Sequence, residues 1–239
     1  PDGQRQISEL VGYRLRNTLL LASGAILCGI PLALFLGIVA ALWRDRPFDI
    51  IVSTTAIAAM TIPEFVSATL LILIFSVWLG WVPGIVLTSS NAPLAEFFPE
   101  VLLPIAVLTL VMTAHILRTV RSSVIETLAS DYAQMALLKG VPYWQMVFRH
   151  VLPNALLPTI NVVALTIAWL LGGVVVIETV FNYPGLGRMM IDSISDRDLP
   201  VTQAIALIIA SVYVGVNLLA DLLTMVANPR LRTAHLRGK

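Results

Sequence analysis

DYAQMALLKGVPYWQMVFRHVLPNALLP, from Asp131 to Pro158, decides how this chain is read. It carries Lys139, Arg149 and His150, yet it lies between two long apolar segments. A hairpin this polar and this long is not needed merely to join two membrane spans. It reads as a docking element for a soluble partner at one membrane face, with the chemistry supplied by that partner. An interfacial amphipathic helix with no partner is the alternative that spacing leaves open.

Within the stretch, Asp131 is a candidate N-cap, and Gln134 three residues later completes a capping-box pattern. The helix it starts should run through Leu138 and end at Gly140, which suits the residue just past a helix. Pro142 fits the first position of a second helix running to about Val151, closed by Pro153. Ala136 and Gly140 expose little side chain, so a partner's groove can approach the backbone. Tyr143, Trp144, Met146, Val147 and Phe148 can bury against the spans or the bilayer interface.

Outward from the hairpin, the chain is too apolar to cover a water-soluble globule. Of 239 residues, 58% are hydrophobic and 12% charged; a soluble domain carries about 25% charged residues. Mean hydropathy is +0.89. Five continuous apolar runs, about 18–43, 51–80, 100–119, 155–178 and 201–227, read as helical spans. The second exceeds what a bilayer requires, which predicts tilt or an interfacial stretch. Net charge +1 gives no field for nucleic acid. Cys28 is the single cysteine, so no intrachain disulfide forms; a small buried apolar role is expected of it.

Basic residues orient the spans. Ten of the 15 lie in three regions that parity places on one side: Arg44 and Arg46; Arg118, Arg121, Lys139 and Arg149; and Arg230, Arg232, Arg237 and Lys239. The C-terminus is therefore expected in the cytoplasm. The N-terminus then falls outside, against the preference of Arg5, Arg14 and Arg16. A further span upstream of residue 1 would resolve that conflict.

Four motifs, in order, resemble permeases of ABC importers. Gln134-Met135-Ala136, Gly140 and Leu152-Pro153 follow the register of the "EAA loop", with Gln for Glu, Met for the first Ala and His150 for Ile. The hairpin is closer to the dipeptide, oligopeptide and nickel subgroup, whose version resembles DYxxxAxxKG…RHxLxNALLP. Thr61-Ile62-Pro63-Glu64-Phe65 resembles its "SIPxF", Arg118 to Ser123 its "RxxRSS", and Glu178 to Gly187 its "ExxFxxPGLG". Asp221 with Asn228-Pro229-Arg230 resembles its "D…DPR".

The resemblance implies an all-α polytopic membrane protein, a type I importer-like helical bundle with five spans of an implied six. Residues 1–239 would form a single permease domain with a cytoplasmic coupling loop at about 120–154. It implies an inner-membrane subunit that pairs with a second homologous permease across a central pathway. Two cytoplasmic ATPases carry the ATP and Mg, and this chain itself binds no cofactor. An extracytoplasmic solute-binding protein delivers a peptide or a related small solute such as nickel or glutathione. Asp131, Tyr132, Ala136, Lys139, Gly140, Val141 and Pro142 would form the ATPase-coupling segment.

Polar groups inside spans are costly in lipid and call for a role. Glu64 beside Pro63 is a candidate for the pathway or for a structural contact. Glu178 is a candidate anchor of the loop 179–187 or, with Phe181, part of an outer gate. His115 and Asp221 suggest inter-helix hydrogen bonds, and Arg118 and Arg121 cytoplasmic anchors or partner contacts. Gly24, Gly29, Gly37, Ala33 and Ala40 suggest close helix packing. No GxxxxGK[ST], HExxH, CxxC or GxSxG is present, so ATP hydrolysis and the common hydrolase sites are excluded. A membrane enzyme is disfavoured because His115, His150 and His235 are scattered. An ion-coupled carrier would leave the hairpin unexplained and would show an internal repeat.

Overall fold

Every long apolar run in the sequence is helical in the computed structural model, which describes residues 7–227. The helices are α1 (Ile7–Leu42), α2 (Pro47–Thr61), α3 (Glu64–Leu71), α4 (Leu102–Leu128), α5 (Asp131–Leu138), α6 (Tyr143–Met146), α7 (Leu152–Ala155), α8 (Leu157–Val180), α9 (Leu186–Ser195) and α10 (Leu199–Ala227). A π-helical stretch, Ile72–Trp78, continues α3, and another, Val147–Val151, joins α6 to α7. Glu9–Leu42, Leu102–Leu128 and Leu199–Leu219 are each long and apolar enough to cross a membrane. Two bent helix pairs, Pro47–Thr61 with Glu64–Trp78 and Tyr143–Ala155 with Leu157–Ile167, raise the number to up to five if each pair makes one span.

Two of these runs differ from expectation. The run 51–80 is not one tilted helix, because Ile62 and Pro63 break it. Pro63 is extended (φ −57°, ψ 143°) and forms the N-cap of α3. Proline disfavours α-helical geometry at the residue before it and cannot donate within a helix. Conversely, Pro153 does not close the second hairpin helix. It sits inside α7, and the π-helical widening at Val147–Val151 precedes it. Widening the turn gives the proline ring room where a tight helix would clash. The chain bends 47° instead, between Tyr143–Ala155 and Leu157–Ile167.

The described chain gathers into two compact units. The first takes the chain up to Gly29, Thr61–Met112 and Ala168–Val214; the second takes Ile30–Met60, Thr113–Ile167 and the chain from Gly215. Within the first, Gly24 and Gly29 of α1 face Ile105 and Met112 of α4. Within the second, Gly37 of α1 faces Val120 and the Leu117 carbonyl oxygen of α4. A Cβ at Gly37 would lie 2.8 Å from Val120 Cβ, so a side chain there would push the helices apart. Within the first unit the contact advances from Gly24–Ile105 to Gly29–Met112, so α1 and α4 run parallel there. Ala33 and Ala40 are fully buried as well. The small residues therefore serve helix packing. Cys28, in contrast, is exposed rather than buried.

In the first unit the core is Leu21, Ala25, Phe97, Leu108, Leu170, Ile177, Phe181 and Tyr183, with Val86 and Ala92 contributed by the irregular segment after Trp78. That segment holds its shape through Glu100. Its Oε2 accepts from the Leu87 and Thr88 backbone amides (3.0 and 3.1 Å) and the Thr88 hydroxyl (2.8 Å).

Candidate functional site

The polar hairpin is closed by backbone bonds, not by long side chains. α5 starts one residue earlier than expected. Ser130 (φ −70°, ψ 151°) holds the N-cap position, and Asp131 lies in the first turn. There its charge favours the positive end of the helix dipole. Ser130 Oγ donates back to the Thr127 carbonyl (2.5 Å) and Gln134 Nε2 to the Ala129 carbonyl (3.2 Å), so no capping box forms.

The other end of α5 ends at the expected residue. Gly140 has φ +80°. Its amide donates to the Leu137 carbonyl (2.9 Å), and the Val141 amide reaches the Ala136 carbonyl (3.1 Å). This pair of bonds is a Schellman closure, and its left-handed residue is best filled by glycine. Open space surrounds Gly140 where a Cβ would point. Pro142 (φ −55°, ψ 140°) is the N-cap of α6 rather than its first helical residue.

The hairpin's exposed face is bulkier than the small-residue face expected. Ala133 is fully buried. Tyr132 (46%), Met135 (55%) and Leu138 (81%) are exposed. These three recur every third residue, so they form one apolar stripe on α5. Lys139 and Gly140 continue the exposed surface beyond the helix. Met146 and Val147 turn inward, as bulky residues of this helix were expected to do. Tyr143, Trp144 and Phe148 stay exposed and pack on one another, with ring centroids 5.7 and 5.9 Å apart.

The hairpin hangs on a rigid base. Ser123 donates its hydroxyl to the Ala155 carbonyl (2.6 Å), at the bend between α7 and α8. Arg121 grips Asp49 with two bonds, Nε to Oδ1 at 2.5 Å and Nη2 to Oδ2 at 2.7 Å. Asp49 is 2% exposed and also accepts from the Ser53 hydroxyl and the Asp45 amide. Arg121 is therefore a structural clamp between α2 and α4. The spacing of 72 residues hid this pair from the sequence. Arg118, three residues earlier, is exposed.

In the first unit, Glu178 is fully buried at the end of α8. Its Oε1 accepts from the Thr18 hydroxyl (2.5 Å) and its Oε2 from the Arg188 amide (3.0 Å). Thr18 Oγ1 in turn accepts from the Leu186 amide (2.8 Å). A Cβ on Gly185 would fall on the Glu178 carboxylate, so glycine is needed there for close approach. Phe181 is fully buried, and its carbonyl accepts from the Val86 amide (2.8 Å). Beside them, the Tyr183 hydroxyl donates to the Asn17 carbonyl (2.8 Å), and Asn17 Nδ2 donates to the Ser90 and Pro184 carbonyls (both 3.0 Å). Burial, then the nearby Glu178 charge, pushes the Tyr183 phenol above its ordinary pKa and keeps it a donor. Arg16 donates to the Ala92 carbonyl (2.6 Å). This use explains a basic residue at the same end of α1. Glu64 is half-buried at the start of α3, and its Oε2 is buried without a hydrogen-bond partner. The Asp221 side chain, Arg5 and the Asn228-Pro229-Arg230 motif lie outside the described residues. Among the described residues no group of His, Cys, Asp and Glu could hold a metal ion.

Relatives match nearly the whole chain. A probable peptide ABC transporter permease protein, y4tP, of Sinorhizobium fredii (strain NBRC 101917 / NGR234) is 35% identical over 227 residues, 95% of this chain and 72% of that protein. The glutathione transport system permease protein GsiC of Salmonella choleraesuis (strain SC-B67) is 35% identical over 229 residues, 96% of this chain and 72% of that protein. GsiC of Escherichia coli (strain K12) is 34% identical over the same length and coverage. Among solved structures, the MetNI methionine ABC transporter in inward-facing conformations matches with a TM-score of 0.73 at 17% identity, over 92% of this chain and 97% of that one. A chain of an amino acid ABC transporter crystallised with histidines matches with a TM-score of 0.71 at 18% identity, over 91% and 94%. The last two show a shared fold. Residues 33–233 match the family described as the binding-protein-dependent transport system inner membrane component, and the chain belongs to it: it is a membrane permease subunit of an ABC importer, whose ATPase lies in separate subunits.

Proposed function

We propose that α5 and its glycine turn are the lever through which partner ATPases drive this permease. Asp131, Tyr132, Ala136, Lys139, Gly140, Val141 and Pro142 form the coupling segment. The observation that carries the reading is an apolar stripe, Tyr132, Met135 and Leu138, left exposed on a short helix whose end is closed by backbone bonds at Gly140. A stripe of this kind on a short exposed helix fits a groove on another protein. ATP and Mg are bound by two ATPase subunits. Their closure draws this hairpin toward that of a second homologous permease, and the spans open outward. The Arg121–Asp49 clamp and the Ser123–Ala155 bond stiffen the base, so that movement of α5 reaches α4 and α8.

The cargo is a peptide or a small peptide-like solute delivered by an extracytoplasmic binding protein. The names of the relatives, one for peptides and one for glutathione, support this class. Residues 1–239 act as one permease domain with the C-terminus in the cytoplasm. The basic clusters at 44–46 and 118–149 support that orientation. Glu178 and Phe181 hold the outer loop 179–187 as the pathway opens and closes, and Glu64 contributes a polar group to the pathway at the broken helix.

Gly140→Asp tests the coupling role. Aspartate tolerates a left-handed backbone better than most residues, so the cost to the fold stays below about 1 kcal/mol. Membrane insertion should be retained and ATP-driven uptake lost, because a charge now stands at the docking turn. Wild-type uptake at normal expression would remove the lever from this position.

A further inference from the structure

The second unit contains an apolar groove of about 600 Å³, lined by Ile30, Leu34, Thr159, Ile160, Ala164 and Val216, with Leu156 at one end. A groove of this volume is in the range that holds a ligand of several hundred daltons. Its lining is hydrocarbon with one exception. Thr159 is 2% exposed, and its Oγ1 has no hydrogen-bond partner. A buried hydroxyl of this kind is normally paired, and leaving it unmet is unfavourable. Leu156 follows directly on the bend, and seven residues before it stands Arg149, with His150 beside it, both exposed. Seven helical residues span about 10 Å. The headgroup layer of one leaflet is roughly 6 Å thick.

We infer that this groove is a phospholipid site: an acyl chain fills it, the ester carbonyl accepts from Thr159, and an anionic headgroup meets Arg149 and His150. Three observations favour this occupant over a helix of a second copy. The groove is apolar enough for a hydrocarbon chain. Its one polar group asks for an acceptor that an apolar helix face does not offer. The exposed basic pair stands six and seven residues before Leu156, where the groove's lining on this helix begins. A peptide pathway would need more than one polar group over this length.

The test uses the complete permease in nanodiscs containing phosphatidylglycerol or phosphatidylcholine with a diazirine in the acyl chain, and locates the photolabel by mass spectrometry. Phosphatidylglycerol should label residues 156–164. Arg149→Gln should reduce that labelling about five-fold while phosphatidylcholine labelling is unchanged, as expected for about 1 kcal/mol per basic residue at the surface. Ala164→Phe, which fills the groove, should abolish it. Thr159→Val keeps the side-chain shape. It should remove the preference for ester-linked over ether-linked phosphatidylglycerol, about five-fold for one hydrogen bond. Equal labelling by both headgroups that Ala164→Phe leaves intact would mean bulk lipid only and overturn the site. So would a disulfide between two Ile160→Cys copies that excludes the photolabel, because a second permease would then cover the groove.

Discussion

The polar cluster around Glu178 and the hairpin around α5 solve opposite problems. At Glu178 the side chain is wholly buried, and its oxygens meet donors from Thr18 and Arg188. At α5 the helix end is closed by the backbone of Leu137 and Ala136, and the apolar side chains point outward. The first region meets its buried carboxylate with its own donors. The second satisfies its backbone locally and leaves a face unmatched. A buried, satisfied network resists change, whereas an exposed apolar face on a rigid short helix invites another protein.

Substitutions can break that contrast, taken in order of their effect on the fold. Glu178→Ala should be the most damaging, because Thr18 and the Arg188 amide lose their acceptor while buried. The expected loss is about 3 kcal/mol or more. It would appear as a lowered thermal midpoint in detergent and as proteolysis within 183–198. Arg121→Ala should cost somewhat less, about 2 kcal/mol, because Asp49 keeps Ser53 and the Asp45 amide as donors. Adding Asp49→Asn should recover part of the loss, and a purely additive double variant would show that the two groups do not depend on each other.

Tyr183→Phe removes one hydrogen bond, to the Asn17 carbonyl, for about 1 kcal/mol. Its pH behaviour sharpens the comparison. The folded phenol has a raised pKa, so its stabilising effect is complete below the unfolded value near 10 and fades as pH rises through the folded value. Wild-type protein should therefore lose stability above about pH 10 more steeply than Tyr183→Phe, as read by thermal unfolding at stepped pH. Leu138→Asp should change stability least, within about 0.5 kcal/mol, since the side chain is 81% exposed. It should nevertheless abolish co-purification of the ATPase subunits with a tagged permease. Normal co-purification would make the stripe a membrane-facing surface instead.

The hairpin and the spans were legible because their causes are local. A bilayer sets a length of apolar chain, so runs such as 100–119 and 201–227 announce helices whatever surrounds them. Gly140 was legible because a helix end in the left-handed region demands glycine through its own backbone sterics. Even nearby details were less secure. The N-cap moved from Asp131 to Ser130, because caps differ by one residue at little energetic difference. Pro153 kept the chain helical, because a widened turn could receive its ring. The bulky stripe on α5 went unread because exposure depends on which face the rest of the unit covers.

What the sequence determined by itself was an all-helical membrane protein of the importer permease family with a glycine-closed polar hairpin. Tertiary structure alone decided that Arg121 holds Asp49 across 72 residues and that Glu178 is met by Thr18 across 160. The physical reason is range. Hydrophobic length and backbone sterics act within a few residues, whereas a buried charge takes its partner from whichever distant segment packing brings within hydrogen-bond reach.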